Sequence, residues 1–105
     1  MKQSTKQSTN KPYSIVELQE FYENAGYMGD LTEDLIQVNG YRFNSGKNQH
    51  EYLFAYYDSS EEEYFIAQLD VHLGLSGKII AGFTGVPVIQ GVETKEEIIQ
   101  QLNEM

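Results

Sequence analysis

The sequence predicts an α+β domain in which two helices flank a four-stranded antiparallel β-meander. Three observations favour this fold class: a capped amphipathic helix near each end, a central region of alternating aromatic and β-branched residues, and turn residues between its segments. With 105 residues, of which 40% are hydrophobic and 22% charged, we expect one globular domain. Both helices are expected to pack on one face of the sheet.

The first helix is predicted to begin after Pro12. Ser14 and Glu17 have the spacing of a capping box, in which the two side chains satisfy backbone N–H groups of the first turn. Gly26 favours a left-handed stop at the other end, and residues 27–34 are expected to connect the helix to the sheet. The predicted apolar side of the helix consists of Ile15, Leu18, Phe21, Tyr22 and Ala25.

The central meander is predicted from the pattern of residues 63–73. This segment alternates strictly, and its odd-numbered side chains are apolar, which identifies them as the core side. The preceding strand covers residues 50–58. The first strand, residues 36–44, leaves two interpretations open, a loop at residues 46–49 or a tight turn at residues 39–40. The predicted core face consists of Phe43, Phe54, Phe65, Leu69, Ile79 and Phe83.

Turn chemistry predicts the register of the second hairpin. A loop at residues 59–62 brings Tyr57 opposite Tyr64 and puts aromatic side chains on the core face. Pairing is expected to close there, because one step further Asp58 would lie opposite Glu63 and the two carboxylates would repel each other.

The last strand and the second helix complete the predicted fold. A three-residue loop that ends at Gly77 in the left-handed conformation pairs Leu73 with Ile79 on the core face. Thr94 and Glu97 have the spacing of another capping box. The predicted apolar side of the second helix consists of Ile98, Ile99, Leu102 and Met105.

Charge is distributed unevenly along the chain. Residues 1–11 contain three Lys and no acid, whereas the remaining residues contain all 16 acids against four basic residues, a charge of −12. The start of the chain repeats Lys-Gln-Ser-Thr and is too polar to bury a core. We therefore expect residues 1–12 to be a disordered basic tail and residues 13–105 to be a single acidic domain. The tail is interpreted as solubilising; the alternative is contact with nucleic acid or with the acidic body.

Composition and motifs exclude several kinds of chemistry. Without Cys there is no thiol nucleophile and no Cys-type zinc site. No apolar segment reaches the length of a membrane span and no secretory signal is recognised, so a cytoplasmic location is expected. Phosphate-loop and hydrolase motifs are absent, and no cofactor is expected. Ser76 lacks the context of a catalytic serine, and the acids at Asp58 and residues 61–63 do not match a calcium loop.

Two carboxylates and an imidazole form the one constellation with catalytic or metal-binding chemistry. The predicted register makes Glu51 and Asp70 cross-strand neighbours on the non-core face, with His72 beside them. These three groups could bind a divalent metal or support acid–base catalysis. The alternative, which we favour, is a polar cluster on a solvated face, with Arg42 or Lys78 nearby.

The non-core face of the sheet also carries apolar side chains. An apolar centre with a polar rim is typical of a partner surface, here including a homodimer contact. The alternative is that residues 27–36 or 86–92 fold across this face. Its apolar and aromatic members are Leu53, Ala55, Tyr57, Tyr64, Ile66 and Ile80.

The acidic side chains suggest a basic partner. Carboxylates three residues apart on a helix step about 4.5 Å along its axis, a loose match to DNA phosphates, which recur about every 3.4 Å per strand. Such a stripe can occupy a basic groove electrostatically. Tyr is favoured at interfaces because it combines a large contact area with a polar tip. The predicted partner-binding residues are Glu17, Glu20, Glu23, Tyr57, Glu61, Glu62, Glu63 and Tyr64.

In size, charge and aromatic content, residues 12–105 resemble the small acidic anti-CRISPR and antirestriction proteins of phages and mobile elements. The resemblance implies a non-enzymatic inhibitor that mimics DNA in the basic groove of a nucleic-acid-binding defence nuclease, such as an RNA-guided CRISPR nuclease. It implies no direct binding of nucleic acid and transfers no functional residue, because these proteins share no motif. The alternatives are a structural or assembly component of a phage or mobile element, and a small metal-dependent enzyme or ligand-binding domain.

Deletion of residues 1–11 is expected to leave the thermal midpoint of unfolding nearly unchanged, because residues 2–11 offer no apolar side chain to the core. The midpoints of the full chain and of the shortened chain are compared by circular dichroism. A fall of more than about 5 °C, equivalent to about 1 kcal/mol in a domain of this size, would show that the tail packs on the body.

Overall fold

The computed structural model describes residues 12–74 and 76–105, apart from the side chain of Tyr41, and its fold is α+β. The α+β prediction is therefore confirmed, whereas the predicted disorder of the tail falls almost wholly outside the described residues. In the described part of the chain, helices α1 (Ile15–Asn24) and α2 (Lys95–Glu104) flank an antiparallel sheet of five strands. The strands are β1 (Leu35–Asn44), β2 (Gln49–Asp58), β3 (Glu63–Leu73), β4 (Ile79–Phe83) and β5 (Ile89–Val92).

The five strands occupy four rows of the sheet. Strands β1, β2 and β3 follow one another as hairpins, while β4 and β5 pair with successive parts of the remaining edge of β3. Between them, the N–H groups of Thr84 and Val88 donate to β3 carbonyls at 3.0 and 2.8 Å. Pro87 has no N–H to donate, so regular pairing breaks at this point. The predicted four-stranded meander is matched only roughly, because its last strand is interrupted.

The predicted registers of the second and third hairpins are confirmed. Tyr57 pairs with Tyr64, and Leu73 pairs with Ile79 across a turn in which Gly77 has φ +84°. The expectation that pairing closes at Tyr57 and Tyr64 is wrong, since the ladder continues to Asp58 and Glu63. The Asp58 carboxylate turns into the loop and accepts two hydrogen bonds from Ser60, which reduces its repulsion of Glu63.

The first hairpin turns at residues 45–48, close to the predicted loop at residues 46–49. The alternative turn at residues 39–40 is wrong, because both residues lie within β1. A register shift between Val38 and Tyr41 accommodates them as an irregularity in the strand. An Asn-Gly pair therefore marks a bulge here instead of a chain reversal.

Both helices begin with the predicted caps. The Ser14 hydroxyl accepts from the Glu17 N–H at 3.2 Å, and the Glu17 carboxylate accepts from the Ser14 N–H at 2.9 Å, which completes the capping box. Gly26 adopts the predicted left-handed conformation with φ +99°. At α2 the Thr94 hydroxyl accepts from the Glu97 N–H at 3.2 Å, so the predicted N-cap is present, but only this half of the predicted capping box is formed. These contacts satisfy N–H groups that would otherwise lack partners in the first turn.

The two helices cover opposite faces of the sheet, so the prediction that both pack on one face is wrong. α1 lies on the predicted core face, where Leu18 and Phe21 are buried, whereas α2 buries Ile98 and Leu102 on the other side. The reason is that β2 and β3 carry apolar side chains in both alternating sets, and each set needs a cover. The sheet residues buried under α1 are Tyr52, Phe54, Tyr56, Leu69, Val71 and Ala81; those under α2 are Leu53, Ala55, Ile66 and Val92.

Most of the predicted core face is confirmed, with Phe43 as the exception. Phe54 and Leu69 are fully buried, and Phe65, Ile79 and Phe83 are packed against the cluster that they form. Phe43 is 47% exposed. It lies at the end of the edge strand β1, while α1 packs mainly across β4 at the other edge.

Replacement of Leu69 by Ala and of Ile66 by Ala is expected to lower the free energy of unfolding by about 2–5 kcal/mol in each case. Both side chains are completely buried, but under different helices. The measurement is urea unfolding, and Val16→Ala is the control, because Val16 is 74% exposed. If only one of the two core substitutions destabilised the protein, one of the two helix covers would be dispensable.

Candidate partner-binding groove

A groove with a volume of about 440 Å³ lies on the α1 side of the sheet. Its walls come from separate parts of the chain: the end of α1, the loop of residues 29–34, and the loop that follows β4. Its floor is formed where β2 and β3 approach their hairpin turn. Its aromatic and acidic lining residues include Tyr22, Asp30, Glu33, Asp34, Tyr56, Phe65 and Phe83.

Four of the five aromatic residues that line the groove contact one another in series. Tyr56 stacks on Phe65 with ring centroids 5.5 Å apart, and Phe83 meets Tyr56 edge-on at 6.1 Å. Tyr22, from α1, meets Phe83 edge-on at 5.7 Å. Because each ring is held by the next, the apolar lining is ordered before any partner arrives.

The 29–34 loop is held over the end of the sheet by hydrogen bonds. The Gln19 side chain accepts from the Leu31 N–H at 2.8 Å, and Leu31 itself is buried in the α1 core. The Tyr56 hydroxyl donates to the Leu31 carbonyl at 2.8 Å, and the Tyr57 N–H donates to the Asp34 carbonyl at 3.0 Å. The loop is therefore a fixed wall of the groove.

The rim of the groove is acidic. A smaller cavity of about 130 Å³ adjoins it, and the two cavities share Phe65 and Pro87. Among the described residues, no Lys, Arg or His lines either cavity. The acidic residues that line the two cavities are Asp30, Glu33, Asp34, Asp58 and Glu63.

Local hydrogen bonds keep two of these carboxylates ionised. The side chain and N–H of Thr32 donate to Asp30 and hold the pKa of that carboxyl below its ordinary value. The Ser60 side chain has the same effect on the pKa of Asp58, helped by backbone N–H groups of the turn. Burial, together with the nearby Tyr22 and Asp30, raises the pKa of Tyr56, so its phenol stays protonated and can donate.

Five of the predicted partner-binding residues lie at the same end of the sheet as the groove. Tyr57 and Tyr64 form a cross-strand pair with ring centroids 4.9 Å apart. Tyr64 packs against the α2 core, while Tyr57 lines the groove. Of the turn acids, Glu61 and Glu62 are exposed, and Glu63 lines the smaller cavity.

The three predicted acids of α1 stand apart from this cluster. Glu17, Glu20 and Glu23 are exposed, and none of them lines the groove. Glu17 is engaged in the capping box, and Glu23 accepts from the Gln19 side chain at 3.0 Å. The structure therefore divides the predicted surface into a helix stripe and a separate acidic end of the sheet.

Glu51 is held by three donors. The register places it opposite Asp70, as predicted, and the side chain is only 6% exposed. Arg42 Nε lies 2.8 Å from its Oε1, while Asn44 and Gln49 donate to its Oε2 at 3.1 and 3.0 Å. Both carboxylate oxygens are thus occupied, which corresponds to the polar cluster with Arg42 that the sequence analysis favours.

The remaining members of the metal or catalytic hypothesis do not converge on Glu51. Asp70 accepts from the Gln68 side chain at 2.8 Å, and His72 is exposed. In residues 12–74 and 76–105, no group of three or more His, Asp or Glu is arranged to hold a metal ion. The structure therefore offers no support for metal binding by these residues or by the acids of the 59–62 turn.

The non-core face of the sheet is not the open partner surface that the sequence suggests. Leu53, Ala55 and Ile66 are buried there beneath Ile98 and Leu102 of α2. The alternative that residues 86–92 fold across the face is met only in part, since Ile89 and Val92 join the same cluster. α2 covers the apolar centre of this face, and the homodimer contact stays a prediction.

The sequence does not reveal the groove, although it predicts most of the aromatic lining residues as core or partner-binding residues. Tyr22 and Phe83 are expected in the core, whereas the acids Asp30, Glu33 and Asp34 are expected only as part of a connection. No pattern in the sequence indicates that residues 29–34 lie against the loop after β4. The available signal is the concentration of three acids within a short loop that precedes an aromatic strand.

The fold and the groove define an α+β domain with an acidic, aromatic-lined groove. Comparison of the chain with known protein families, with curated proteins and with solved structures gives no match. Across the residues that the structure describes, no helix combines the length and the apolar character that a membrane crossing requires. The function is therefore argued from the groove itself.

Glu51→Gln is expected to lower the free energy of unfolding at pH 7 by about 1–3 kcal/mol, because donors to a buried carboxylate lose their acceptor. Burial raises the pKa of Glu51, but hydrogen bonds from Gln49, Asn44 and Arg42 and the Arg42 charge outweigh it, so the pKa is lowered overall. The folded state therefore gains stability above the unfolded-state pKa of about 4.3 and loses it as the pH falls through the folded-state value.

The measurement is urea unfolding of both proteins at pH 7 and at about pH 3.5. The difference between them should shrink at the lower pH, because the unfolded chain binds a proton at Glu51 below its pKa of about 4.3 more readily than the folded chain, whose pKa is lowered, and the stability contributed by the charge declines. Glu61→Gln, at an exposed turn position, serves as the control. A difference that is the same at both pH values would mean that the Glu51 charge contributes nothing.

Proposed function

We propose that this protein has no catalytic activity of its own and inhibits a basic, nucleic-acid-binding defence nuclease by occupying its DNA-binding surface. The observation that carries the proposal is the acid-rimmed aromatic groove. This surface combines five carboxylates with ordered aromatic rings and contains no basic lining residue in the described chain. The resemblance to anti-CRISPR and antirestriction proteins suggests the class of partner.

Electrostatics supports a basic partner. The whole chain carries a net charge of −9, and the acids around the groove lie at one end of the sheet, in the 29–34 loop and at the ends of β2 and β3. A DNA-binding cleft carries the opposite charge, so attraction between the two surfaces speeds their encounter and orients it. The lowered pKa values of Asp30 and Asp58 keep their charges in place under mildly acidic conditions as well.

The aromatic lining supplies what charge alone does not. Surface charges act mainly on the rate of association, whereas desolvated aromatic anchors slow dissociation. Tyr22 and Phe83 are only partly buried and are fixed by ring contacts with each other and with the buried Tyr56, so little side-chain entropy is lost when a partner covers them. A protein that holds such a surface against a DNA-binding cleft excludes DNA without copying the spacing of its phosphates.

The test compares two variants with the same change in charge. In the groove variant, Glu33→Gln is combined with Asp34→Asn; Asn is chosen because residue 34 has φ +61°, a conformation that Asn tolerates. In the control variant, Glu93→Gln is combined with Glu104→Gln, two exposed positions that do not line the groove and are not among the predicted partner-binding residues. Neither pair removes a buried side chain, so both variants are expected to fold.

DNA cleavage by a panel of purified RNA-guided nucleases and restriction endonucleases is measured against increasing concentrations of each protein. The unsubstituted protein is expected to inhibit at least one nuclease by preventing DNA binding. The groove variant should require about tenfold more protein, equivalent to about 1.4 kcal/mol of binding free energy, and the control variant less than about threefold. Absence of binding and inhibition across the panel, or equal weakening by both variants, would contradict the proposal.

A further inference from the structure

We propose that the groove binds one arginine side chain, which an exposed segment of the partner protein presents. The side chain lies in the groove with the aromatic lining on one side and the acidic rim on the other. The inference rests on the proposed function, because it assigns the chemistry by which the same surface recognises its partner. The occupant is inferred from the combination of ring contacts, carboxylates and volume within the groove.

The aromatic lining fits a flat cation. A guanidinium or ammonium group is attracted to an aromatic ring when it lies within about 6 Å of the ring centroid. The rings of Phe65 and Phe83 pack against Tyr56, with centroids 5.5 and 6.1 Å from its own, so a cation does not enter between them. It lies instead against Phe65 and Phe83, which line the groove and are only partly buried. The two neighbours are inclined to Tyr56 by 29° and 74°, which presents ring surfaces in different directions.

The acidic rim fits the charge of the same group. Asp30, Glu33 and Asp34 line the groove together with the rings. The ion pair within the described residues joins Arg42 to Glu51, and neither of these two side chains lines the groove. Within the part of the chain that the structure describes, no ion pair engages the rim carboxylates. Asp30 Oδ1 accepts from Thr32, and the other rim oxygens are available to a cation that another molecule brings.

Arginine fits this combination better than lysine. Its guanidinium is planar, stacks on aromatic faces, presents several N–H donors to a carboxylate and is more weakly hydrated than an ammonium group. A volume of about 440 Å³ lies within the range of about 300–1,000 Å³ that is usual for ligand pockets. It accommodates the side chain together with part of the backbone that carries it.

The experiment titrates the full chain with N-acetyl-arginine amide and follows the aromatic ring signals by NMR. The matched probe is N-acetyl-citrulline amide, which has nearly the same shape but no charge, and N-acetyl-lysine amide is the third probe. We expect saturable shifts at Tyr22, Tyr56, Phe65 and Phe83 with the arginine probe. Binding of the lysine probe should be at least about threefold weaker, and binding of citrulline at least about tenfold weaker.

The variants used to test the proposed function identify the site. Glu33→Gln with Asp34→Asn should weaken the arginine probe by about threefold to tenfold, and Glu93→Gln with Glu104→Gln by less than about twofold. Phe83→Leu should weaken it further; because Phe83 also contacts the core, its result is interpreted only if circular dichroism shows a folded protein. The rim variant, which changes exposed acids, keeps the test decisive in either case.

Three results would overturn the assignment: equal binding of arginine and citrulline, shifts confined to residues outside the groove, or arginine binding that the rim variant leaves unchanged. The outcome is separable from that of the proposed function. Arginine binding in the groove without inhibition of any nuclease supports the pocket and overturns the proposed function. Inhibition that depends on the groove without a preference for arginine overturns the pocket alone.

Discussion

Burial on both faces of the central strands is the constraint on which this structure depends. In β2, consecutive side chains from residue 51 to residue 56 are all buried, which requires a cover on each side of the sheet. A strand that alternates between core and solvent needs only one. The two helices meet this requirement from opposite ends of the chain, and their capping residues determine where each cover begins. The same constraint explains why the two apolar clusters are separated by the sheet.

The groove follows from the short length of α1. With ten residues, the helix spans about 15 Å. It leaves uncovered the part of the sheet face that lies nearest the β2–β3 turn. The chain then returns across that end as the 29–34 loop, which Gln19 and Tyr56 hold by hydrogen bonds. A loop with many acids thus comes to lie beside rings that a longer helix would have buried. The groove therefore combines acidic and aromatic side chains because it lies at the edge of the α1 core.

Local signals in the sequence were sufficient for the helices, the caps and two hairpin registers. Ser14 with Glu17, Thr94, and the alternation of residues 63–73 each determine structure within a few residues of themselves. The placement of α2 on the core face was wrong, because the alternation of a strand indicates which side chains are apolar but not which element covers them. The groove could not be predicted, because it joins residues far apart in the chain, such as Asp30 and Phe83, through contacts that only the folded chain creates.

The interruption between β4 and β5 also governs how the sheet ends. A straight outer strand exposes a continuous row of N–H and C=O groups, to which a strand of another molecule can add. Here that row is divided into segments of five and four residues by a loop that contains Pro87. Another chain could match one segment only by losing register with the other. The feature that makes the last strand irregular therefore protects this border of the sheet from self-association into larger aggregates.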